Sequence, residues 1–297
     1  MVGEIGAGLN GARGQQRLLR TVADWLFINP VPAPMLLPLC LEAFCMDTLL
    51  LTIIVGAALA GFVQGLSGSN FGLVAMAVWA WALEPTLTGP LVVCGSLVGQ
   101  VLAARTLRRG LKREHLLPMV LGGLAGVPLG VVLLHAIDPL LFRLAVGIVL
   151  ALWCPLMLFS ASLPTLARGG RKADAAVGVL GGVMGGIGGL TGPAPALWAV
   201  LKGWDRDTQR SVIQGFNLAM QLLTMVTYLV SGTVSGEALG LFPVVALAVL
   251  LPTLAGIRAY RYFTDIAFRK VVLGLLAVAG VMLIVQSLPQ VIQALNG

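Results

Sequence analysis

Two stretches decide the fold: Gly61-Phe62-Val63-Gln64-Gly65-Leu66-Ser67-Gly68-Ser69-Asn70-Phe71-Gly72 and Gly181-Gly182-Val183-Met184-Gly185-Gly186-Ile187-Gly188-Gly189-Leu190-Thr191-Gly192. Shifting the chain by 120 residues sets Gly61, Gly65, Gly68 and Gly72 on Gly181, Gly185, Gly188 and Gly192 without a gap. The same shift carries Thr88 onto Thr208 and Gly95 onto Gly215. Later, Asp138, Phe142 and Arg143 echo Asp265, Phe268 and Arg269, offset by about one gap. The chain therefore reads as an internal duplication.

Both stretches interrupt long apolar runs. Of the 297 residues, 58% are apolar and only 10% charged. An average soluble domain is about 45–50% apolar and about 25% charged. A soluble chain of this size could not hide so much apolar surface. That excludes a soluble enzyme, a nucleic-acid-binding domain and a disordered linker, and leaves an all-α polytopic membrane protein. Ten apolar segments are predicted: 47–66, 71–84, 88–104, 117–136, 140–160, 175–189, 193–203, 211–230, 238–256 and 270–289. A crossing helix needs about 20 residues. The segments 71–84 and 193–203 fall short, and each follows a glycine-rich break. They read as half-helices or as arms of re-entrant hairpins.

Net charge is +7. The basic residues cluster in short loops: Arg105 to Arg113, Arg168 to Lys172, Lys202 to Arg210, and Arg258 to Lys270. The loops near 85–88, 137–139 and 231–237 carry none. Under the positive-inside rule, the basic loops are cytoplasmic. These assignments agree only if each half crosses an odd number of times, so the two repeats are inverted. The expected organisation is a tail at 1–45, disordered or upstream of a true start at Met46; repeat 1 at 46–160; a cytoplasmic linker at 161–174; and repeat 2 at 175–297. The four cysteines form no CxxC pair and imply neither zinc nor a disulfide framework.

Inverted repeats broken by glycine at matching positions are a transporter pattern, with half-helices meeting near the midplane. Backbone inside lipid must be satisfied, so a helix breaks only where it lines a cavity or is buried in protein. Freed amides and the positive end of a helix then attract an anion without any Arg or Lys. The candidate binding residues are Gln64, Gly65, Ser67, Gly68, Ser69 and Asn70 at the first break. At the second they are Gly188, Gly189, Thr191 and Gly192, with Gln214 and Asn217 on the helix that follows. The competing reading of the glycines is close helix packing through small residues. Ser96, Gln100, Gln221 and Thr224 read as ties between helices. All twelve acids lie in the tail, in loops or near segment ends. That argues against a proton pump or a Na⁺-coupled cation carrier. No metal, cofactor or catalytic residue is implied.

At these residues the chain resembles the sulfite exporter TauE/SafE family of membrane permeases. The resemblance runs from about Met46 to the C-terminus. It rests on the Gly61-to-Gly72 run, the Leu107-Arg108-Arg109-Gly110 loop, the Gly122-to-Gly130 helix and the Gly-Leu-Thr-Gly-Pro break at 189–193. Where family members often show a triple glycine and then a proline, this chain has Asn70-Phe71 and Ala77. The resemblance implies transport of a small sulfur-containing anion, such as sulfite or an organosulfonate, across the plasma (inner) membrane. The expected partners are that anion and the lipid bilayer, with no nucleic acid, and with a homo-oligomer left open. Export is favoured, because an inside-negative potential drives an anion outward without a coupling ion. Two other readings compete. One is an intramembrane serine hydrolase, since Gly65-Leu66-Ser67-Gly68 imitates a rhomboid-like serine motif. The other is a membrane scaffold that transports nothing.

Overall fold

The computed structural model describes residues 33–103, 112–160, 165, 169–259 and 265–296. They form ten helices and no strand: α1 (Ala33–Ser67), α2 (Phe71–Trp79), α3 (Pro85–Ala103), α4 (Arg113–Ala136), α5 (Pro139–Leu158), α6 (Arg171–Gly188), α7 (Pro193–Leu201), α8 (Arg206–Val230), α9 (Gly236–Ala259) and α10 (Asp265–Asn296). Each predicted apolar segment falls on one of them. Helix α6 starts at Arg171, four residues ahead of its apolar run, because Arg171 and Lys172 continue the helical backbone outward from it. Of the 1–45 tail, residues 1–32 lie outside the described residues, as does the Leu107-to-Gly110 loop. The chain forms two compact units, Met1–Leu50 and Leu51–Gly297. The second contains the helical bundle.

Among the described residues, seven helices are long and apolar enough to cross a bilayer: Thr48–Ser67, Pro85–Leu102, Arg113–Ala136, Pro139–Leu158, Asp207–Val230, Gly236–Ala259 and Lys270–Ala294. The bundle is inside out relative to a soluble protein. Leu152, Leu247, Leu251 and Leu275 stand exposed, while Gln64, Ser96, Gln100, Asn217, Gln221 and Thr224 are buried. An outer surface of leucine and valine suits lipid, and the buried amides must find partners within the protein.

Helices α4 and α6 make the most extensive pairing of the bundle, followed by α5 with α10. Glycine permits the first. A Cβ on Gly126 would overlap the Val179 carbonyl, and one on Gly178 would overlap the Met119 carbonyl. Helices α1 and α9 cross in the same manner, Gly65 on the Thr253 carbonyl and Gly256 on the Phe62 carbonyl. Thr253 Oγ1 also donates to Gly61 O across this crossing (3.1 Å). At the α5–α10 crossing, a Cβ on Gly280 would stand 2.9 Å from Gly147 O. Small residues allow backbones this close approach, which gains dispersion contacts where lipid supplies no hydrophobic drive.

Helices α2 and α7 have nine residues each. At 1.5 Å per residue they reach about 14 Å, half a hydrocarbon core. Each is tied back to the helix before it by an indole. Trp79 Nε1 donates to Thr52 O on α1 (3.3 Å). Trp198 Nε1 donates to Asp174 Oδ1 on α6 (2.7 Å). A short helix tied back this way forms a hairpin with its predecessor rather than continuing it. Asp174 is buried, its second oxygen 3.9 Å from His115 Nδ1, and the His115 ring lies on Trp204. Trp198→Phe therefore strands a buried carboxylate oxygen. We expect it to destabilise the protein by about 2 kcal/mol, read as a lower melting temperature in detergent, with Asp174→Asn recovering part of the loss.

Candidate functional site

The first break begins where α1 ends. Gly68 N donates to Gln64 O (2.7 Å), closing the last turn, and Gly68 takes φ 76°. Asn70 then adopts φ 75°, the only non-glycine residue with positive φ among the described residues. Asparagine tolerates this left-handed backbone better than most side chains. The turn launches α2 at Phe71. The first amide of α2 bonded back into the helix is Val74 N, to Asn70 O (3.3 Å). The amides of Phe71, Gly72 and Leu73 lie ahead of the i→i−4 ladder, where a helix has donors to spare.

At the second break, Gly189 ends α6 with φ 70° and its N–H donates to Gly185 O (2.6 Å). Helix α7 opens Pro193-Ala194-Pro195. Proline has no N–H, so α7 retains one first-turn amide where α2 has three. The two breaks touch: a Cβ on Gly72 would stand 2.9 Å from Gly189 O.

Between them lies a narrow cleft, open on one side. Asn70 and the first turn of α2 line it from one side, and 189–193 from the other. Ser96 and Gln100 of α3 with Asn217 and Gln221 of α8 complete the wall. No charged side chain lines it. Thr191 Oγ1 donates to Asn217 Oδ1 (2.9 Å), which holds the amide with Nδ2 beside Gly192. Gln221 Nε2 donates to Ser96 Oγ (2.5 Å), and Gln64 Nε2 supports Ser96 from behind through its carbonyl (3.0 Å). The side-chain oxygens of Gln100 and Gln221 are buried without a partner. The cleft thus offers neutral donors at the positive end of α2, an environment that suits an anion.

Of the residues expected from sequence, Asn70, Gly189, Thr191, Gly192 and Asn217 line the cleft. Gln64 sits one layer behind. Gly65 is the α1–α9 crossing glycine, and Gly188 packs on the Met76 methyl. Gly68 lies under Gln214, whose Nε2 donates to Gly68 O (3.3 Å). Ser67 is exposed and bonds the carbonyls of Val63 (2.8 Å) and Ser69 (2.5 Å), and Ser69 N donates back to Ser67 Oγ (3.3 Å). Neither histidine reaches Ser67: His115 meets Trp204 and Asp174, while His135 meets Val131 O and Thr233 Oγ1. A serine nucleophile needs a base within hydrogen-bond distance, so this geometry does not support the hydrolase reading. Gln221 and Ser96 tie α8 to α3, as expected, and with Gln100 they also line the cleft. The signal for Gln221 is the spacing of Gln214, Asn217, Gln221 and Thr224, which puts one polar stripe along α8; Ser96 and Gln100 stand four apart on one face of α3.

Thr191→Val keeps the volume and removes the bond that orients Asn217. We expect folded protein and about five-fold lower flux, the worth of one hydrogen bond of about 1 kcal/mol. Asn70→Leu would strain the left-handed backbone as well as remove the amide. Asn70→Gly separates the two.

A helical bundle with seven apolar spans and a buried polar cleft defines a multi-pass membrane protein of the transport class. The profile of the family described as sulfite exporter TauE/SafE matches residues 53–283. The chain belongs to that family. No curated protein and no solved structure matches it.

Proposed function

We propose that the protein carries a small oxyanion, foremost a sulfur oxyanion, out across the plasma membrane by alternating access through the cleft between the two breaks. The observation that carries this reading is that both breaks line one uncharged polar cleft, with the first turn of α2 in its wall. Membership of a family described as sulfite exporters favours a sulfur oxyanion as the substrate.

Alternating access needs two halves that rock, and an inverted duplication supplies them. Several reciprocal features favour it. Helix α1 crosses α9 through glycine, and α6 crosses α4 through glycine. In the 120-residue register these are the same pairing with the repeats exchanged. Each short helix is tied back by an indole, Trp79 in one half and Trp198 in the other. Helices α4 and α9 each carry two internal prolines, Pro118 with Pro128 and Pro243 with Pro252. The half-helices α2 and α7 then enter from opposite faces and meet at the substrate.

Direction follows from the potential. An inside-negative membrane drives each negative charge outward by about 2.3 kcal/mol per 100 mV, roughly fifty-fold. Export therefore needs no coupling ion, in keeping with a cleft that has no carboxylate in its wall.

The test is electrical. The purified protein in proteoliposomes is exposed in turn to sulfite, a short organosulfonate, sulfate and chloride. A saturable current with a sulfur oxyanion supports the reading. Currents equal to those of empty liposomes for all four would contradict electrogenic anion transport.

A further inference from the structure

Everything known of the cleft so far suits any small anion, but two of its atoms do not. Gln100 Oε1 and Gln221 Oε1 are acceptors without partners, on side chains 1% and 3% exposed that line the cleft. An unpaired acceptor at such a site is costly. A fully deprotonated oxyanion would worsen matters, because it brings only acceptors of its own. Donors stand near them: the backbone of Phe71, Gly72 and Leu73 at the start of α2, and the Asn217 Nδ2, one turn before Gln221 on α8. The cleft therefore asks for a ligand with acceptors on one side and a donor on the other.

We propose that the ligand is a singly charged oxyanion that retains a proton, hydrogen sulfite rather than sulfite, and that Gln100 and Gln221 accept that proton's hydrogen bond. This rests on the transport reading above and narrows its substrate. The charged oxygens face the first turn of α2 and Asn217, and the protonated oxygen faces Gln100 and Gln221. The Gln221 end is oriented by its own Nε2, which is committed to Ser96 Oγ (2.5 Å). One negative charge also fits a site with no cation in its wall. Arg210 Nε lies 3.4 Å from where a Cβ on Gly68 would be, one turn before Gln214 on α8, and Arg210 does not line the cleft.

Methanesulfonate makes the decisive comparison, being singly charged at every working pH and having no donor. Sulfite efflux from proteoliposomes is measured on both sides of neutrality, where sulfite takes up its proton, with methanesulfonate as competitor at each pH. The expected result is flux that follows the hydrogen sulfite concentration rather than total sulfite. Methanesulfonate should compete at least ten-fold less well than hydrogen sulfite. Any titration of the protein itself would show as a pH dependence of methanesulfonate inhibition, which should be flat. Gln100→Met and, separately, Gln221→Met should narrow the gap between the two anions. Flux that follows total sulfite, or methanesulfonate competing equally, would overturn the proposal and leave anion transport standing. It would mean that the glutamines turn their N–H groups to the cleft. No flux of any oxyanion would overturn the transport reading and this proposal together.

Discussion

Asn217→Leu is expected to leave the bundle folded and to lower oxyanion flux by about 10- to 100-fold. The substitution keeps the branching and the number of heavy atoms and removes the side-chain amide held by Thr191 Oγ1 at 2.9 Å. A hydrogen bond to a charged group contributes about 1.5–3 kcal/mol, and each 1.4 kcal/mol is ten-fold. Thr191 acts through Asn217, so adding Thr191→Val to Asn217→Leu should cost little more, well short of the sum of the single effects. Flux assayed in proteoliposomes, at matched amounts of protein eluting as one peak in size exclusion, checks both statements. Unchanged flux in Asn217→Leu would remove the amide from the binding site.

Gly126→Leu should have the largest effect on stability. Its Cβ alone would overlap the Val179 carbonyl, and Val183 N lies 3.0 Å away. Backbone cannot swing aside as a side chain can, so α4 and α6 must part. Overpacking costs about 1–3 kcal/mol in ordinary cores, and the upper end is expected here because the α4–α6 crossing is the most extensive in the bundle. Loss of the folded peak in size exclusion, or a melting temperature lowered by several degrees, is the readout. Gly274→Ala in α10 is the control. Nothing lies within 4 Å of its Cβ position, and alanine favours a helix by about 1 kcal/mol over glycine.

The ten helices were legible because apolar runs and glycine breaks are local signals, and each break lies where composition placed it. The reach of α2 and α7 was legible from their length, but their fold-back depended on Trp79 finding Thr52 and Trp198 finding Asp174. Those pairs are more than twenty residues apart. The candidate site was legible at its centre and blurred at its edge. Asn70, Thr191 and Asn217 stand at the cleft, whereas Ser67, Ser69 and Gln214, equally polar and as near a break in sequence, turn to backbone carbonyls or to exposed surface. Which members of a polar stripe meet a cavity is decided by how α3 lies against α8, and no local pattern encodes that crossing. For the same reason Gln100 and Gln221 read as ties. Only the third dimension leaves their oxygens without partners. The glycines served two ends that sequence cannot separate: Gly189 turns the chain at positive φ, while Gly65 and Gly126 let helices touch.

The central claim is that the cleft between the two breaks is where the transported oxyanion sits, and that it opens to each side in turn. The direct measurement is labelling of Thr191→Cys, in a chain whose Cys40, Cys45, Cys94 and Cys154 are replaced by serine, with a membrane-impermeant thiol reagent applied from one side at a time. Labelling from either side, slowed by sulfite in each case and not by chloride, is the expected result. Labelling that sulfite does not slow, or a cysteine reached from neither side in protein that still carries sulfite, would contradict the account.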